Sequence, residues 1–259
     1  MGSELAAVGI NLDFAPCVDV LTNPENILIG DRSLSTDPEM VAKHASALVR
    51  GYIKAGVIAC AKHFPGHGNT LIDSHEDLPV ENVDLERLKA IELVPFKKAF
   101  RARLDMVMTA HIQFPKIDPK WPVTLSQIFI RDLLRNELRY KNIVISDDLD
   151  MKALAKNFAK HEIPVRALEA GCDMLLYCNE FDHPEMALVA VERALKDGRL
   201  TGQQIDACYN RVATVKKDAL LKPDPMPWAD VSKLVGSDDH KRLAESISSG
   251  RIPDDLMAG

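Results

Sequence analysis

The sequence predicts an α/β fold on parallel strands, a (β/α)8 TIM-type barrel that is truncated at its N-terminus. Short apolar runs alternate with helical patterns, as they do in successive βα units. Polar side chains with catalytic potential follow these runs at the carboxyl ends of the predicted strands, where barrel enzymes carry their active sites. About five βα units can be recognised, whereas a closed barrel requires eight.

Five apolar runs predict the strands. Each is rich in Val, Ile, Met or Cys and ends in polar residues or a turn signal, as buried parallel strands do. The runs are Val8–Val18, Val57–Phe64, Met106–Ile112, Asn142–Asp148 and Cys172–Cys178.

Helical spacing predicts the segments between the strands. The first helix begins at Pro38, after the cap residue Asp37, and ends at Gly56. This order of cap, proline and terminal glycine is typical of a helix. Three further helices are predicted over Asp84–Arg103, Ser126–Tyr140 and Asp182–Gly198.

The end of the chain predicts a separate helical tail. A proline-rich stretch follows Leu221, and two short helical patterns come after it, over Ala229–Leu234 and Asp238–Ile247. Prolines in such a stretch interrupt regular structure. We therefore assign residues 1–221 to the partial barrel domain and residues 222–259 to a C-terminal helical tail.

Composition limits the partners of the protein. The 259 residues carry 32 basic and 38 acidic side chains, which gives a formal net charge of -6 and no basic surface for a phosphate backbone. No stretch approaches the roughly 18 apolar residues of a membrane span, and Met1–Ile10 lacks the features of a signal peptide. We therefore expect neither nucleic acid nor a membrane as a partner.

The cysteines indicate a reducing compartment. Cys17, Cys60, Cys172 and Cys178 lie in or beside apolar runs, without the paired spacing of zinc ligands. They are predicted to be buried free thiols, which favours a cytoplasmic protein.

The most informative stretch runs from Lys62 to His75 and has the sequence KHFPGHGNTLIDSH. It leaves a predicted strand with Lys62 and His63 and ends on an Asp-x-His pair, Asp73 and His75. A carboxylate beside an imidazole fixes the tautomer of the ring and stabilises its protonated form, which suits general acid/base catalysis. A single histidine would fit a solvated polar loop equally well. Three histidines, a lysine and an aspartate within this stretch favour a functional site.

A second cluster of acids follows the fourth apolar run, where Asp147 and Asp148 come directly after Ser146. A carboxylate at a strand end can be a nucleophile, a metal ligand or the cap of the next helix. With two acids in succession, one can cap while the other reacts, and spacing alone leaves them equivalent. Asp19 and His111 lie at the ends of two other predicted strands and are further candidates.

Together these motifs resemble glycoside hydrolase family 3, in particular its NagZ-type β-N-acetylglucosaminidases, which remove N-acetylglucosamine from peptidoglycan fragments. The resemblance extends from about Val8 to Leu221. It implies that Asp147 is the nucleophile and that His75 is the general acid/base, with Asp73 as its dyad partner. The residues that it implies in sugar binding are Arg32, Lys62, His63 and His111.

The resemblance also implies a reaction and its setting. The expected enzyme is a retaining glycosidase that acts on saccharides with terminal β-linked N-acetylglucosamine during peptidoglycan recycling, without a metal ion or other cofactor. The N-terminal third of the family's barrel, with its Asp-x-Glu-Gly-Gly-Arg segment, has no counterpart in this sequence. Exposed strand edges associate readily, so we expect self-association or a partner that completes the barrel.

Two alternatives belong to other functional classes. The first is a folded but inactive barrel fragment, because three βα units are not accounted for. The second is a metal-dependent hydrolase that uses His63, His67, Asp73 and His75. This alternative is less favoured because strand-borne His-x-His and helical His-x3-His pairs are missing.

Overall fold

The centre of the computed structural model is a sheet of parallel strands in sequential order, β1 to β5. The model describes residues 1–71, 74, 76–219 and 226–251. Within these ranges the strands are β1 (Leu12–Asp13), β2 (Ile58–Phe64), β3 (Met106–Thr109), β4 (Ile143–Asp148) and β5 (Met174–Leu176). The predicted α/β architecture on parallel strands is confirmed, and each strand lies inside one predicted apolar run.

The order of the strands distinguishes between two kinds of parallel sheet. Each strand pairs with the next one along the chain, and all four pairings are parallel. A doubly wound sheet reverses its strand order at one point, whereas the wall of a barrel does not. The five strands therefore have the topology of part of a barrel wall.

The first strand is much shorter than its predicted run. Regular pairing covers only Leu12–Asp13, although the chain continues beside β2 as far as Cys17, which forms a bridge to Lys62. Pro16 lies within this continuation and has no amide hydrogen to donate, which interrupts a regular ladder.

Helices connect the strands. Within the described ranges they are α1 (Gly2–Ala7), α2 (Pro38–Ala55), α3 (Leu85–Ala90), α4 (Leu93–Arg101), α5 (Lys152–Ala155), α6 (Glu162–Ala170), α7 (His183–Lys196), α8 (Gly202–Ala219), α9 (Trp228–Leu234) and α10 (Asp238–Ser249). Gly30–Arg32 and Val123–Leu125 form 3-10 turns, and Ile128–Glu137 forms a π-helix. The predicted ends of α2 are confirmed: the Asp37 carboxylate accepts a hydrogen bond from the Glu39 amide, and Gly56 ends the helix with φ of 74°.

One predicted helix is divided in two. The segment Asp84–Arg103 contains α3 and α4, which are separated by Ile91 and Glu92. Pro95 cannot donate a hydrogen bond to the carbonyl of Ile91, and its ring would clash with that carbonyl in a continuous helix. The single helix predicted here is therefore wrong.

The two faces of the sheet pack against different side chains. Ala59 and Ala61 of β2 belong to the large cluster beneath helices α2 and α4, whereas Ile58 and Cys60 belong to a smaller cluster on the opposite face. In β4 the smaller cluster contains Ile143 and Ile145. We call this second surface the inner face; Val212 and Val215 of α8 pack partly against it.

Other sequence predictions have mixed outcomes. Cys60 and Cys172 are buried and Cys17 is half-buried, but Cys178 is exposed because β5 ends before it.

Among the described residues, no helix is both long and apolar enough to cross a lipid bilayer. The predicted domain boundary at Leu221 lies outside the described residues.

Candidate active site

The two acids at the end of β4 have different surroundings. Asp147 follows Ile143 and Ile145 of the inner face, and although the register of β4 against β5 shifts between Ile145 and Asp148, its carboxylate faces His63 at 4.0 Å. Asp148 is turned to the other face, where its carboxylate accepts hydrogen bonds from the amides of Asp150 and Cys178 at 3.1 Å and from the Asn179 side chain at 2.6 Å. Asp148 therefore connects the loops that follow β4 and β5, and Asp147 remains available on the inner face.

The charge of Asp147 is stabilised by its neighbours. Burial raises the pKa of the carboxyl group, but His111, His63 and a hydrogen bond from the Asp148 amide lower it more, so the net pKa lies below its usual value. The amide of Asp148 lies 2.9 Å from Asp147 Oδ1. Oδ2 lies 4.0 Å from Nε2 of His63. Asp147 is thus an ionised carboxylate in a mostly enclosed position.

Asp19 fixes the position of His63. It is fully buried, and its Oδ2 accepts a 2.7 Å hydrogen bond from Nδ1 of His63. Oδ1 accepts hydrogen bonds from the backbone amides of His63 and His67, at 3.1 and 2.7 Å. Burial raises the pKa of Asp19, but these histidines outweigh it and hold the pKa well below its usual range. Asp19 is therefore a structural carboxylate behind the site.

The tautomer of His63 follows from its contacts. Nη2 of Arg32 lies 3.5 Å from Nε2 of His63, and a guanidinium can only donate. In the neutral form of His63, Nε2 therefore accepts, and the ring proton is on Nδ1, where it is donated to Asp19. The Arg32 side chain is exposed, and its Nη1 donates to the backbone carbonyl of Leu28 at 3.3 Å.

Lys62 lies on the inner face, at the end of β2. By strand alternation it follows Ile58 and Cys60 on that face. Burial raises the pKa of the Cys60 thiol, the charge of Lys62 lowers it and the charge of Asp147 raises it. Lys62 is half-buried at the end of β2, and Asp147 lies at the end of β4, with β3 between the two strands.

His111 lies deeper than the other candidates. It is fully buried, and Nε2 donates to the backbone carbonyl of Asp148 at 2.9 Å. Nδ1 lies 2.7 Å from the hydroxyl of Thr124. Burial lowers the pKa of His111, and the Thr124 hydroxyl also donates to the carbonyl of Ala110 at 3.0 Å. Both ring nitrogens are occupied by protein groups, and His111 holds the backbone next to Asp147.

The loop after β2 packs closely against the segment that follows Asp19. Asn26 donates from its side chain to the carbonyl of His67 at 2.7 Å, and Thr22 donates to the Asn69 side chain at 3.1 Å. A Cβ atom on Gly68 would lie 1.9 Å from the carbonyl oxygen of Val20. Only glycine allows this approach of two backbones.

We expect Gly68→Ala to destabilise the fold by about 3 kcal/mol, because the backbone must move to relieve the overlap. Gly51→Ala is the matched control, since a Cβ on Gly51 in α2 meets nothing within 4 Å. This change should stabilise the protein by about 0.5–1 kcal/mol. Urea unfolding measures both, and equal stability of the two variants would contradict the packing described.

His67 predicts a pH dependence of stability. It is buried between the hydroxyls of Thr70, at 2.7 Å from Nδ1, and Ser74, at 3.2 Å from Nε2. Burial, and secondly the charge of His63, lower the pKa of His67 to about 4. The unfolded chain then binds more protons than the folded one as pH falls from about 6.5 towards 4.

The unfolding free energy should therefore decrease across this window by about 3 kcal/mol. His67→Gln should reduce the pH dependence, and His44→Gln, at an exposed position of α2, should leave it unchanged. Urea unfolding at several pH values measures the slope. An unchanged slope in His67→Gln would assign the pH dependence to other groups.

The predicted dyad, Asp73 and His75, lies outside the described residues. The described neighbours in that segment contact other parts of the site. The hydroxyl of Ser74 contacts His67. The backbone carbonyl of Ser74 accepts a hydrogen bond from the amide of Ala153 in α5, at 3.2 Å. Glu76 pairs with Lys152 at 2.9 Å.

Comparison with known sequences decides the family. Residues 1–215 match the profile of the glycosyl hydrolase family 3 N terminal domain. This chain belongs to glycosyl hydrolase family 3. A curated family 3 relative, β-hexosaminidase A of Pseudoalteromonas piscicida, is 33% identical over 97% of this chain and 45% of its own length. The β-hexosaminidase of Stenotrophomonas maltophilia (strain K279a) is 42% identical over 78% of this chain and 59% of its own length.

Solved structures agree with this assignment to family 3. A family 3 β-N-acetylglucosaminidase from Paenibacillus sp. str. FPU-7 has a TM-score of 0.88 and 39% identity, covering 95% of this chain and 47% of that one. The β-N-acetylglucosaminidase from Thermotoga maritima has a TM-score of 0.75 and 34% identity, covering 86% and 47%. The chain spans about half the length of the relatives that it matches.

Sequence reasoning missed the role of Asp19 and the support from Thr124. Asp19 was a candidate only as a strand-end acid, yet it binds the ring and amide of a residue 44 positions away. Thr124 contacts His111 across 13 positions. The local spacing of residues in the sequence does not predict either of these contacts. The sequence feature that pointed to Asp19 was its position at the end of the first predicted strand.

Proposed function

We propose that this chain carries the catalytic residues of a retaining β-N-acetylglucosaminidase, with Asp147 as nucleophile and His75 and Asp73 as the acid/base dyad. The position of Asp147 is the observation that supports this most. It combines an ionised carboxylate at the end of β4 with Lys62 and His63 at the end of β2. The names of the family 3 relatives support N-acetylglucosamine as the sugar.

The proposed reaction has two displacements. First, an oxygen of Asp147 forms a bond to the anomeric carbon while the glycosidic bond breaks, and His75 donates its proton to the leaving oxygen. In the second step His75 removes a proton from water, which displaces Asp147 from the sugar. Each displacement inverts the anomeric carbon, so the product retains the β configuration.

The same proposal assigns roles to the surrounding residues. Arg32 is exposed beside His63 and can donate to sugar hydroxyls, and the Lys62 ammonium can do the same from the inner face. His63 presents Nε2 towards the site while Asp19 holds Nδ1. His111 was predicted to bind the sugar, but its occupied nitrogens favour a positioning role behind Asp147.

The proposal includes the wider architecture and setting of the reaction. The five strands form part of a (β/α)8 barrel, and β5, half-buried along its length, is an edge at which further strands would be added. These strands come from a longer polypeptide, a second copy or a partner chain. The substrates are peptidoglycan fragments with terminal N-acetylglucosamine, in the cytoplasm.

Hydrolysis of a chromogenic β-N-acetylglucosaminide by the purified chain tests the proposal. We expect release of the chromophore, with no effect of a chelator and with the β-anomer of the sugar as the first product by proton NMR. Loss of activity in chelator would favour the metal-dependent hydrolase. A folded chain that shows no turnover would favour the inactive fragment.

A further inference from the structure

Three potential metal ligands meet behind the candidate active site. Sγ of Cys17, a carboxylate oxygen of Asp19 and a ring nitrogen of His63 all lie within 4.8 Å of one another. Oδ2 of Asp19 accepts from both neighbours, at 3.2 Å from Cys17 Sγ and 2.7 Å from His63 Nδ1. A thiol, a carboxylate and an imidazole are the usual protein ligands of Zn²⁺ and related ions.

The arrangement leaves one carboxylate oxygen for a metal. Oδ1 of Asp19 is held by the backbone amides of His63 and His67, and Oδ2 also accepts the His63 amide at 3.2 Å, so the carboxylate keeps its orientation when Oδ2 exchanges its side-chain partners for a metal ion. Zn²⁺ with metal–ligand distances of about 2.0–2.3 Å needs ligand atoms roughly 3.3–3.6 Å apart. The two hydrogen-bonded pairs must open by less than about 1 Å to reach that geometry.

The charges of the three groups also fit a divalent cation. Cys17 has a free thiol, Asp19 has a carboxylate and His63 has an imidazole, so the set offers one anionic group and two groups that can each exchange a proton for a metal ion. Metal binding converts the thiol into a thiolate and releases its proton to solvent. The resulting set of two anions, one neutral ring and one dication has no net charge, which is favourable in a buried position.

We propose that Cys17, Asp19 and His63 bind one soft divalent cation, Zn²⁺ or Cd²⁺, with solvent as the fourth ligand. Cys17 is half-buried and provides the path of entry, whereas Asp19 and His63 are buried. The metal takes the place of the proton on Nδ1 of His63, and that proton moves to Nε2. No oxidation or reduction takes place.

Binding at this site alters the neighbouring inner face. Nε2 of His63 now carries a hydrogen, so it no longer accepts from Arg32 and instead donates towards Asp147, 4.0 Å away. The cation is therefore an inhibitor of the proposed glycosidase and not its cofactor. This last consequence rests on the proposed function, whereas metal binding does not.

Cadmium titration of the purified chain tests the site, because a Cd²⁺–thiolate bond has a charge-transfer absorption in the ultraviolet. We expect an absorption that saturates at one equivalent of metal and is lost in Cys17→Ser. Cys178→Ser is the matched control: Cys178 is exposed beside the acids of the β4–β5 loops and is the thiol that an adventitious ion would choose. The absorption should remain in this control.

Two further readouts do not depend on enzymatic activity. Because one thiol proton is released, the affinity for Cd²⁺ should increase by about tenfold for each unit of pH. The ¹⁵N signal of His63 Nδ1 should shift on binding, and it should not shift in Cys17→Ser with unchanged circular dichroism. An absent absorption, an absorption that persists in Cys17→Ser, or one that disappears in Cys178→Ser overturns the proposal.

Discussion

Asp147→Asn is expected to lower kcat for an aryl β-N-acetylglucosaminide by about 10⁴-fold or more, because a carboxamide cannot form the covalent glycosyl ester. The asparagine oxygen can still accept the Asp148 amide that now binds Oδ1, so the fold should be unchanged. Steady-state kinetics and circular dichroism of the purified variant measure the two effects.

Asp148→Asn is the matched control for this prediction. Its carboxylate already has three donors from the following loops, so it should lose no more than about tenfold in kcat. A 5-fluoro glycosyl donor should label the peptide that contains Asp147, and azide should restore turnover of Asp147→Gly with an α-glycosyl azide as product. A label on Asp148 or Glu76 would overturn the assignment.

Asp19→Asn is expected to lower kcat/KM by about 10²-fold, or about 2.7 kcal/mol, with little change in fold. The asparagine oxygen takes the backbone amides that Oδ1 now accepts, so the NH2 group faces Nδ1 of His63 and forces the ring proton to Nε2. The Nε2–H group then faces the guanidinium of Arg32, and Nε2 can no longer accept a hydrogen bond from it. The ¹⁵N chemical shifts of the His63 ring distinguish the two tautomers directly.

Asp19→Ala has a different expected effect. It leaves the buried amides of His63 and His67 without an acceptor and should cost about 3–5 kcal/mol of unfolding free energy. Because the folded pKa of Asp19 lies well below its usual range, its stabilisation is complete above about pH 4 and is lost as pH falls.

Urea unfolding between pH 2 and 4 should therefore show a steeper decrease in wild type than in Asp19→Asn. Glu192→Gln, at an exposed position of α7, should keep the wild-type slope and wild-type kinetics. Wild-type tautomer and turnover in Asp19→Asn would show that Asp19 does not orient His63.

Several features of the fold could be derived from local sequence patterns. Apolar runs separated by capped helices predicted parallel strands and their approximate positions, because burial on both faces and helical periodicity are local properties. The cap at Asp37 and the glycine at position 56 gave the ends of α2 for the same reason. The break in Asp84–Arg103 was missed because the pattern of apolar residues continues through Pro95.

Only part of the candidate active site could be predicted from local sequence patterns. Lys62, His63 and Asp147 could be selected because polar residues that follow buried strands meet at one end of a parallel sheet. Their roles beyond that came from a resemblance of motifs, and Asp73 and His75 remain predictions outside the described residues.

The tertiary structure decided what local spacing could not. Sequence leaves Asp147 and Asp148 equivalent, whereas the contact with His63 and the donors around Asp148 place Asp147 on the inner face. The contacts of His63 with Asp19 and with Cys17 join residues more than 40 positions apart. Pairings of this kind depend on strand register and side-chain burial, which are set by packing of the whole sheet and not by neighbouring residues.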